Sequence, residues 1–361
     1  MGMIKTCRAF AEDTLQDALE LVEARFGIGA CAQVRTILRN PLRVKCRDAG
    51  AIGYRDGRPV CFQAAMLRRC HLRKKEILSI VGGMTCKVEK GCPASLLFET
   101  IDRASESRAG SVMGFGNSCC RATAAMDEES GGVCGPQSCT RYLWRAIRPL
   151  SCLSYFIRRK ILKGRVPSWP AFNTLGKMDF QWTWKGWTVR RMGVESLQFL
   201  TPLMRRYLEF SEGFVCSRTE EEVVWMYGER IASGQAVVLA AADDQGQIQG
   251  YIIIGTNSTA RRWMVMDWFA VRNHVGCLET LLKSAGVFLK RHTPAMMLEA
   301  SGFATFIQPV LRKYLPHVRE TGVNAFSWGT SDDNLKETLK GVLDTPQSWF
   351  FGPYDGDLCM V

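Results

Sequence analysis

The stretch Glu76–Ala104, EILSIVGGMTCKVEKGCPASLLFETIDRA, changes character twice, and those two changes set the reading of the whole chain. From Ile77 to Met84 it is a continuous apolar run, the pattern of a strand buried on both faces. Thr85 to Pro93 is polar, carries Gly91 and ends in a proline, so it reads as a loop. Leu96, Leu97, Ile101 and Ala104 then recur at helical spacing. A helix that starts from such a loop turns free N–H groups and the positive end of its dipole toward whatever lies there, which favours an anion.

Upstream, Ala51–Tyr54 and Pro59–Phe62 flank Arg55-Asp56-Gly57-Arg58, and Asp-Gly between apolar runs predicts a hairpin. A short strand, Ile4–Phe10, and helical segments around Leu15–Phe26 and Gln33–Leu38 precede it. Downstream, Ser111–Phe115 reads as a strand followed by Gly116-Asn117-Ser118 and a helical stretch to Met126, and Thr140–Ile147 as a further strand. The second half repeats the order: strand Trp187–Met192, helices Val194–Phe210 and Glu220–Ala232, and paired strands Ala236–Ala242 and Gln249–Ile254. Strand Trp263–Val271, helix Gly276–Lys290, strand Met296–Glu299 and helix Phe303–Tyr314 complete it. Two copies of one element order point to an internal duplication.

The 361 residues are enough for two domains with a core each, and 47% hydrophobic with 23% charged residues is ordinary globular composition. No apolar run approaches the roughly 18 residues of a membrane span. The opening MGMIKTCRAFAEDTL lacks the apolar core of a secretory signal, so a cytoplasmic location is expected. The net charge of +12 favours anionic partners: a nucleotide cofactor, a nucleic acid, an acidic substrate or a membrane surface. Of fifteen cysteines, twelve precede residue 153; without paired CxxC motifs they read as reduced, buried thiols rather than as a metal site.

Between Arg141 and Arg165 there are eight Lys or Arg residues and no acid, with Leu153, Tyr155, Phe156, Ile157, Ile161 and Leu162 interleaved. Such a basic amphipathic stretch suits an anionic membrane, through 153–165, or an acidic partner; it equally suits a solvated linker helix packed between domains. The loss of pattern from Pro149 to Gly186 divides the chain into 1–150, a connector 151–186, and 187–361.

The order strand, two helices, hairpin, central strand, loop, helix, strand, helix, strand resembles the GNAT superfamily of acyl-CoA-dependent N-acyltransferases. Its members carry a V-x-P-x-x-R-G-x-G-x-(G/A) loop before a helix with paired leucines. With Leu96-Leu97 matched to that pair, Gly91 falls on the second loop glycine, while Val88 and Pro93 stand where the family has its arginine and a small residue. The resemblance implies an α/β (α+β) chain of two GNAT-like mixed-sheet domains, each a central twisted sheet flanked by helices. The cofactor implied is acetyl-CoA or another acyl-CoA, held in the first half by Gly83, Met84, Lys87, Lys90, Gly91, Cys92, Ala94, Ser95 and Asn117.

The activity implied is transfer of an acetyl or longer acyl group to a small-molecule or peptide amine by direct attack, with a backbone N–H of the central strand polarising the thioester carbonyl. Asp267, where many members carry a carboxylate, and Glu99 are the expected proton acceptors, and Tyr354 in the aromatic, acidic C-terminal segment an expected acid. In the second half, Arg272-Asn273-His274-Val275-Gly276-Cys277 is about three residues short of a full loop, so the cofactor is expected in the first. Related tandem folds transfer aminoacyl groups from tRNA or have lost activity, so a tRNA-dependent transferase and a non-catalytic scaffold stand beside the acyltransferase.

Overall fold

The computed structural model describes residues 4–26, 31–45, 48–87, 92–106, 113–119, 133–134, 141–160, 178–256, 261–301, 307–320, 325–343, 345 and 349–350. The first half supplies strands β1 (Lys5–Ala9), β2 (Gly50–Arg55), β3 (Arg58–Leu72), β4 (Lys75–Lys87), β5 (Met113–Cys119), β6 (Val133–Cys134) and β7 (Arg141–Ala146). The second supplies β8 (Gln181–Trp184), β9 (Trp187–Met192), β10 (Phe214–Cys216), β11 (Ala236–Ala242), β12 (Ile248–Thr256), β13 (Arg262–Ala270), β14 (Met297–Ser301), β15 (His317–Glu320), β16 (Ala325–Gly329) and β17 (Trp349–Phe350). Helices α1 (Leu15–Phe26), α2 (Cys31–Leu38), α3 (Ala94–Glu106) and α4 (Pro149–Lys160) belong to the first half and the connector. The second half contributes α5 (Leu200–Phe210), α6 (Glu220–Ala232), α7 (Val275–His292), α8 (Gln308–Tyr314) and α9 (Asp333–Leu343). No helix among the described residues is long and apolar enough to cross a membrane.

The hairpin turns where the sequence places it, with Asp56 at φ 51° and Gly57 at φ 78°, the left-handed pair that a two-residue turn between twisted strands needs. A second turn of the same kind, Lys185-Gly186, joins β8 to β9. Strand β3 runs to Leu72, well past Phe62, and β4 pairs back along it from Leu72↔Lys75 to Cys61↔Lys87. The expected loop from Thr85 therefore begins later, because Thr85, Cys86 and Lys87 continue the ladder.

The strands form two mixed sheets. One runs β1-β2-β3-β4-β5-β16-β6, with β10 and β17 joined to the far end of β3; the other runs β15-β7-β14-β13-β12-β11-β9-β8. The halves that read as separate in sequence thus trade strands. β7 leaves the first half to pair with β14 and β15, while β16 leaves the second to pair with β5 and β6. The trade is reciprocal: β4-β5-β16-β6 in one sheet matches β13-β14-β7-β15 in the other.

Packing follows the exchange. The first core holds Phe10, Val22, Val34, Ile52, Phe62 and Val81, and it also holds Phe214, Cys216, Trp328, Leu339 and Val342 from the second half. The second core includes Leu143 and Ile147. α6 lies across the junction, where the Trp225 indole donates to the Thr36 carbonyl at 2.6 Å, Arg39 pairs with Glu229, and Arg68, buried despite its charge, reaches the Met226 sulfur at 2.8 Å.

Truncating Trp328 to Ala is expected to cost about 3–5 kcal/mol, the usual figure for a buried aromatic. A fragment ending at residue 150 should show no cooperative urea transition until residues 151–361 are supplied in trans. Circular dichroism during urea titration checks both.

Candidate active site

The split between two parallel strands is the feature on which a site can be built. β4 and β5 pair at Ser79↔Met113, Ile80↔Gly114 and Val81↔Phe115, and there the ladder stops. Beyond it β4 stays with β3 as far as Lys87, while β5 stays with β16, which lines its other edge from Gly114↔Gly329 to Cys119↔Ala325. The sheet opens into a V whose lips are backbone, each with one edge free of its former neighbour.

On the β4 lip the register with β3 slips between Gln63↔Thr85 and Ala65↔Gly82, so Gly83 and Met84 together face Ala64. A bulge of this kind leaves a residue out of the ladder and re-aims its N–H. The second half repeats the construction. β13 and β14 pair only at Arg262↔Met297, Trp263↔Leu298 and Met264↔Glu299, and β13 bulges at Met266, between Ile253↔Asp267 and Ile254↔Val265. Gly255 makes that bulge possible: a Cβ there would fall 1.9 Å from the Met266 sulfur.

The two copies differ at the helix that follows. In the first, Pro93 ends the loop and its carbonyl accepts from the Leu96 and Leu97 amides at 3.0 and 3.2 Å. A helix beginning at Ala94 leaves the first amides, those of Ala94 and Ser95, without intrahelical acceptors, and both residues are exposed. Lys5 Nζ donates to Ser95 Oγ at 3.1 Å, adding a cation to the positive end of the helix. The helix is seated by apolar contact beneath it, where Cys92 and Leu96 pack with Val60 and Cys61. Burial, with Cys92 alongside, pushes the Cys61 thiol up to about 11, so it stays protonated at neutral pH.

In the second copy the same position is closed. Asn273 and Arg272 adopt φ of 52° and 54°, tightening the turn after β13. His274 then caps α7, its Nδ1 accepting from the Cys277 amide at 3.2 Å and its ring lying 5.2 Å from that of Trp187. Arg272 stacks over Phe210, 3.8 Å from the ring centroid. A side chain occupies the helix terminus that a diphosphate would need.

Of the expected cofactor residues, Gly83, Met84 and Lys87 lie on the β4 lip, and Ala94 and Ser95 at the exposed start of α3. Asn117 lies inside β5 rather than after it, past Phe115, the last residue to pair with β4, and so on the opposite lip. Cys92 turns its thiol into the apolar contact under α3, which leaves it only backbone to offer. Lys90 and Gly91 lie outside the described residues, as does Tyr354. Lys5 escaped sequence reasoning because only the fold brings it next to Ser95, ninety positions away.

The two expected proton acceptors have different surroundings. Glu99 is exposed, one turn after Ser95 on the same face of α3, while Leu96 and Thr100 carry the face packed on the sheet. Asp267 is 3% exposed and fully engaged: Arg218 Nε donates to both its oxygens at 3.1 Å, and the Tyr251 hydroxyl donates to Oδ2 at 2.5 Å. Arg218, 1% exposed, also donates to the Cys216 carbonyl at 2.6 Å. Asp267 is a buried charge anchor rather than a base open to substrate. Burial, then the Asp267 charge, holds the Tyr251 hydroxyl well above its ordinary value of 10.

Among the described residues no group of His, Cys, Asp and Glu is arranged to hold a metal. No protein-family model and no curated protein sequence matches the chain. Solved structures do resemble it. A GCN5-related N-acetyltransferase from Kribbella flavida aligns over 92% of this chain and 72% of its own, at TM-score 0.57 and 12% identity. One from Anabaena variabilis aligns over 91% and 74%, at TM-score 0.52 and 10% identity. Saccharomyces cerevisiae N-myristoyltransferase, solved with bound myristoyl-CoA, aligns over 90% and 78%, at TM-score 0.52 and 11% identity.

Replacing Asp267 by Asn strands a buried guanidinium and is expected to cost about 3–5 kcal/mol in urea unfolding. Because the folded-state pKa of Tyr251 is raised, its contribution is complete below about pH 10 and is lost as the pH climbs further. Urea midpoints at pH 8 and pH 11 should therefore differ less in Tyr251→Phe than in the parent, a residual difference remaining because Tyr54 and Tyr207 are shifted the same way. The paired splits, the paired bulges and a likeness over about nine-tenths of the chain together give it the fold of the GCN5-related N-acetyltransferases, built in tandem.

Proposed function

We propose that the protein transfers an acyl group from an acyl-CoA thioester to an amine, and that the first half alone holds the cofactor. The observation that carries this reading is the difference between the two copies: among the described residues, a split leading to a helix start that Pro93 precedes and Lys5 flanks in one, and a helix start closed by His274 in the other. The cofactor's diphosphate would meet the Ala94 and Ser95 amides, with Lys5, Lys87 and Lys90 as countercharge and Gly91 allowing close backbone approach. Its pantetheine arm would run into the V between β4 and β5, past Asn117.

The chemistry asked of this site is modest. A neutral amine attacks the thioester carbonyl directly, charge develops on the carbonyl oxygen where a backbone N–H freed by the Gly83–Met84 bulge stabilises it, and collapse breaks the C–S bond, the departing CoA thiolate taking up the proton that the amine sheds. Such a donor is worth about 10²–10³ in rate when it is fixed in advance, as a strand backbone is. No side-chain nucleophile is required, and the Cys61 thiol, neutral and packed away, supplies none. The acceptor is a small-molecule or peptide amine, and the acyl group an acetyl or a longer chain.

Titration calorimetry with acetyl-CoA and with a long-chain acyl-CoA tests the reading, and no heat with either would defeat it in favour of a scaffold. Ser95→Glu, an exposed change that sets a negative charge at the start of α3, should weaken binding by about tenfold or more. His274→Ala should lower stability by about 1 kcal/mol, as cap losses do, and leave cofactor affinity unchanged. The opposite pattern would move the cofactor to the second half.

A further inference from the structure

Helix α4 is held to the fold by one side and bare on the other. Its inner side is fixed by Cys152, buried against Met296 and Met297 with Trp144 and Ala146 beside them. Arg148 just before it donates to the Ala295 carbonyl at 3.1 Å and to the Lys290 carbonyl at 2.8 Å. Its outer side presents Leu150, Leu153 and Ile157, which are 83%, 58% and 40% exposed. Their spacing of three and then four residues sets them in a single stripe along the helix. Soluble proteins seldom leave a row of large apolar side chains uncovered without a partner for it.

The charge around the stripe identifies that partner. The interval from Arg141 to Arg165 contains eight basic residues and no acid, and the helix closes on Arg158, Arg159 and Lys160. The C-terminal end of α7, which Arg148 grips, adds exposed Lys290 and Arg291. An apolar stripe carried by a stretch of chain with eight basic residues and no acid would repel its own image in a second copy of the chain. It matches a surface that is anionic on the outside and hydrocarbon just beneath, where leucine side chains sink and lysine and arginine stay at headgroup level.

We infer that α4 docks the protein on an anionic lipid bilayer, lying in the membrane plane with Leu150, Leu153 and Ile157 inserted. The inference rests on this surface and not on the reaction proposed for the split between β4 and β5. A helix twelve residues long is too short to span and long enough to lie flat. Docking there would also give the enzyme access to acyl donors or amines that partition into lipid.

Co-sedimentation of the full chain with phosphatidylcholine vesicles, with and without phosphatidylserine, tests it. Binding is expected to the anionic vesicles, to weaken as salt is raised, and to fall by about tenfold or more in L150S/L153S/I157S. The parent and the triple variant should share one circular dichroism spectrum and one urea midpoint. Failure to sediment with anionic vesicles overturns the inference. So does undiminished binding of the correctly folded triple variant, which would show attraction by basic residues alone. A concentration-dependent dimer that the triple variant abolishes would assign the stripe to a second copy and overturn it as well.

Discussion

The exchange of β7 and β16 is the constraint on which the rest of the structure depends. Each sheet opens at its middle, between β4 and β5 or between β13 and β14, and the strand beyond the opening has an outer edge, away from it, to cover. A strand from the other half covers it in both cases. An unpaired edge would present a row of backbone donors and acceptors to solvent or to aggregation partners. Closing it in trans within one chain couples the two cores, so that Trp328 is buried in the first and Leu143 in the second. The opening in each sheet therefore persists in the folded protein without loosening it.

The two copies have diverged in what they do with the same construction. Bulge, split and following helix are present twice, and among the described residues the first helix starts after Pro93 with Lys5 at Ser95, whereas the second is capped by His274. In the second, His274, Trp187, Arg272 and Phe210 fill the corresponding end with side chains that satisfy and pack against one another.

Much of this was legible in the residues. Asp56-Gly57 specifies its hairpin because only a left-handed pair of residues joins twisted strands that tightly, and the apolar runs from Ala236 to Val271 match their strands closely. The Lys185-Gly186 turn carried the same signal between Trp182 and Trp187 and went unread. The far end of β3 was hidden by Arg68 and Arg69, whose charges argue against a buried strand until α6 and β10 cover them. β10, three residues long, and β16, far along the chain from β5, take their structure from partners rather than from their own pattern. The same holds for the site: the start of α3 could be found from Gly91 to Leu97, but Lys5 could not.

Asp267 shows why a position that resembles a catalytic one need not be catalytic. It sits on β13, the central strand of the second sheet, while Arg218 follows β10, a strand of the first. The Ser217 amide extends the β10 ladder to the Arg69 carbonyl at 2.8 Å, and Arg218 then turns to grip both the Cys216 carbonyl and Asp267. A carboxylate that acted as a base would have to take up a proton and part from its partners in each cycle, and here that would leave a guanidinium charged and buried between the two sheets. The ion pair therefore holds the sheets in register only while Asp267 remains ionised and occupied. Its use as an anchor and its use as a base exclude one another, and a few residues further on in the same half the His274 imidazole closes the start of α7.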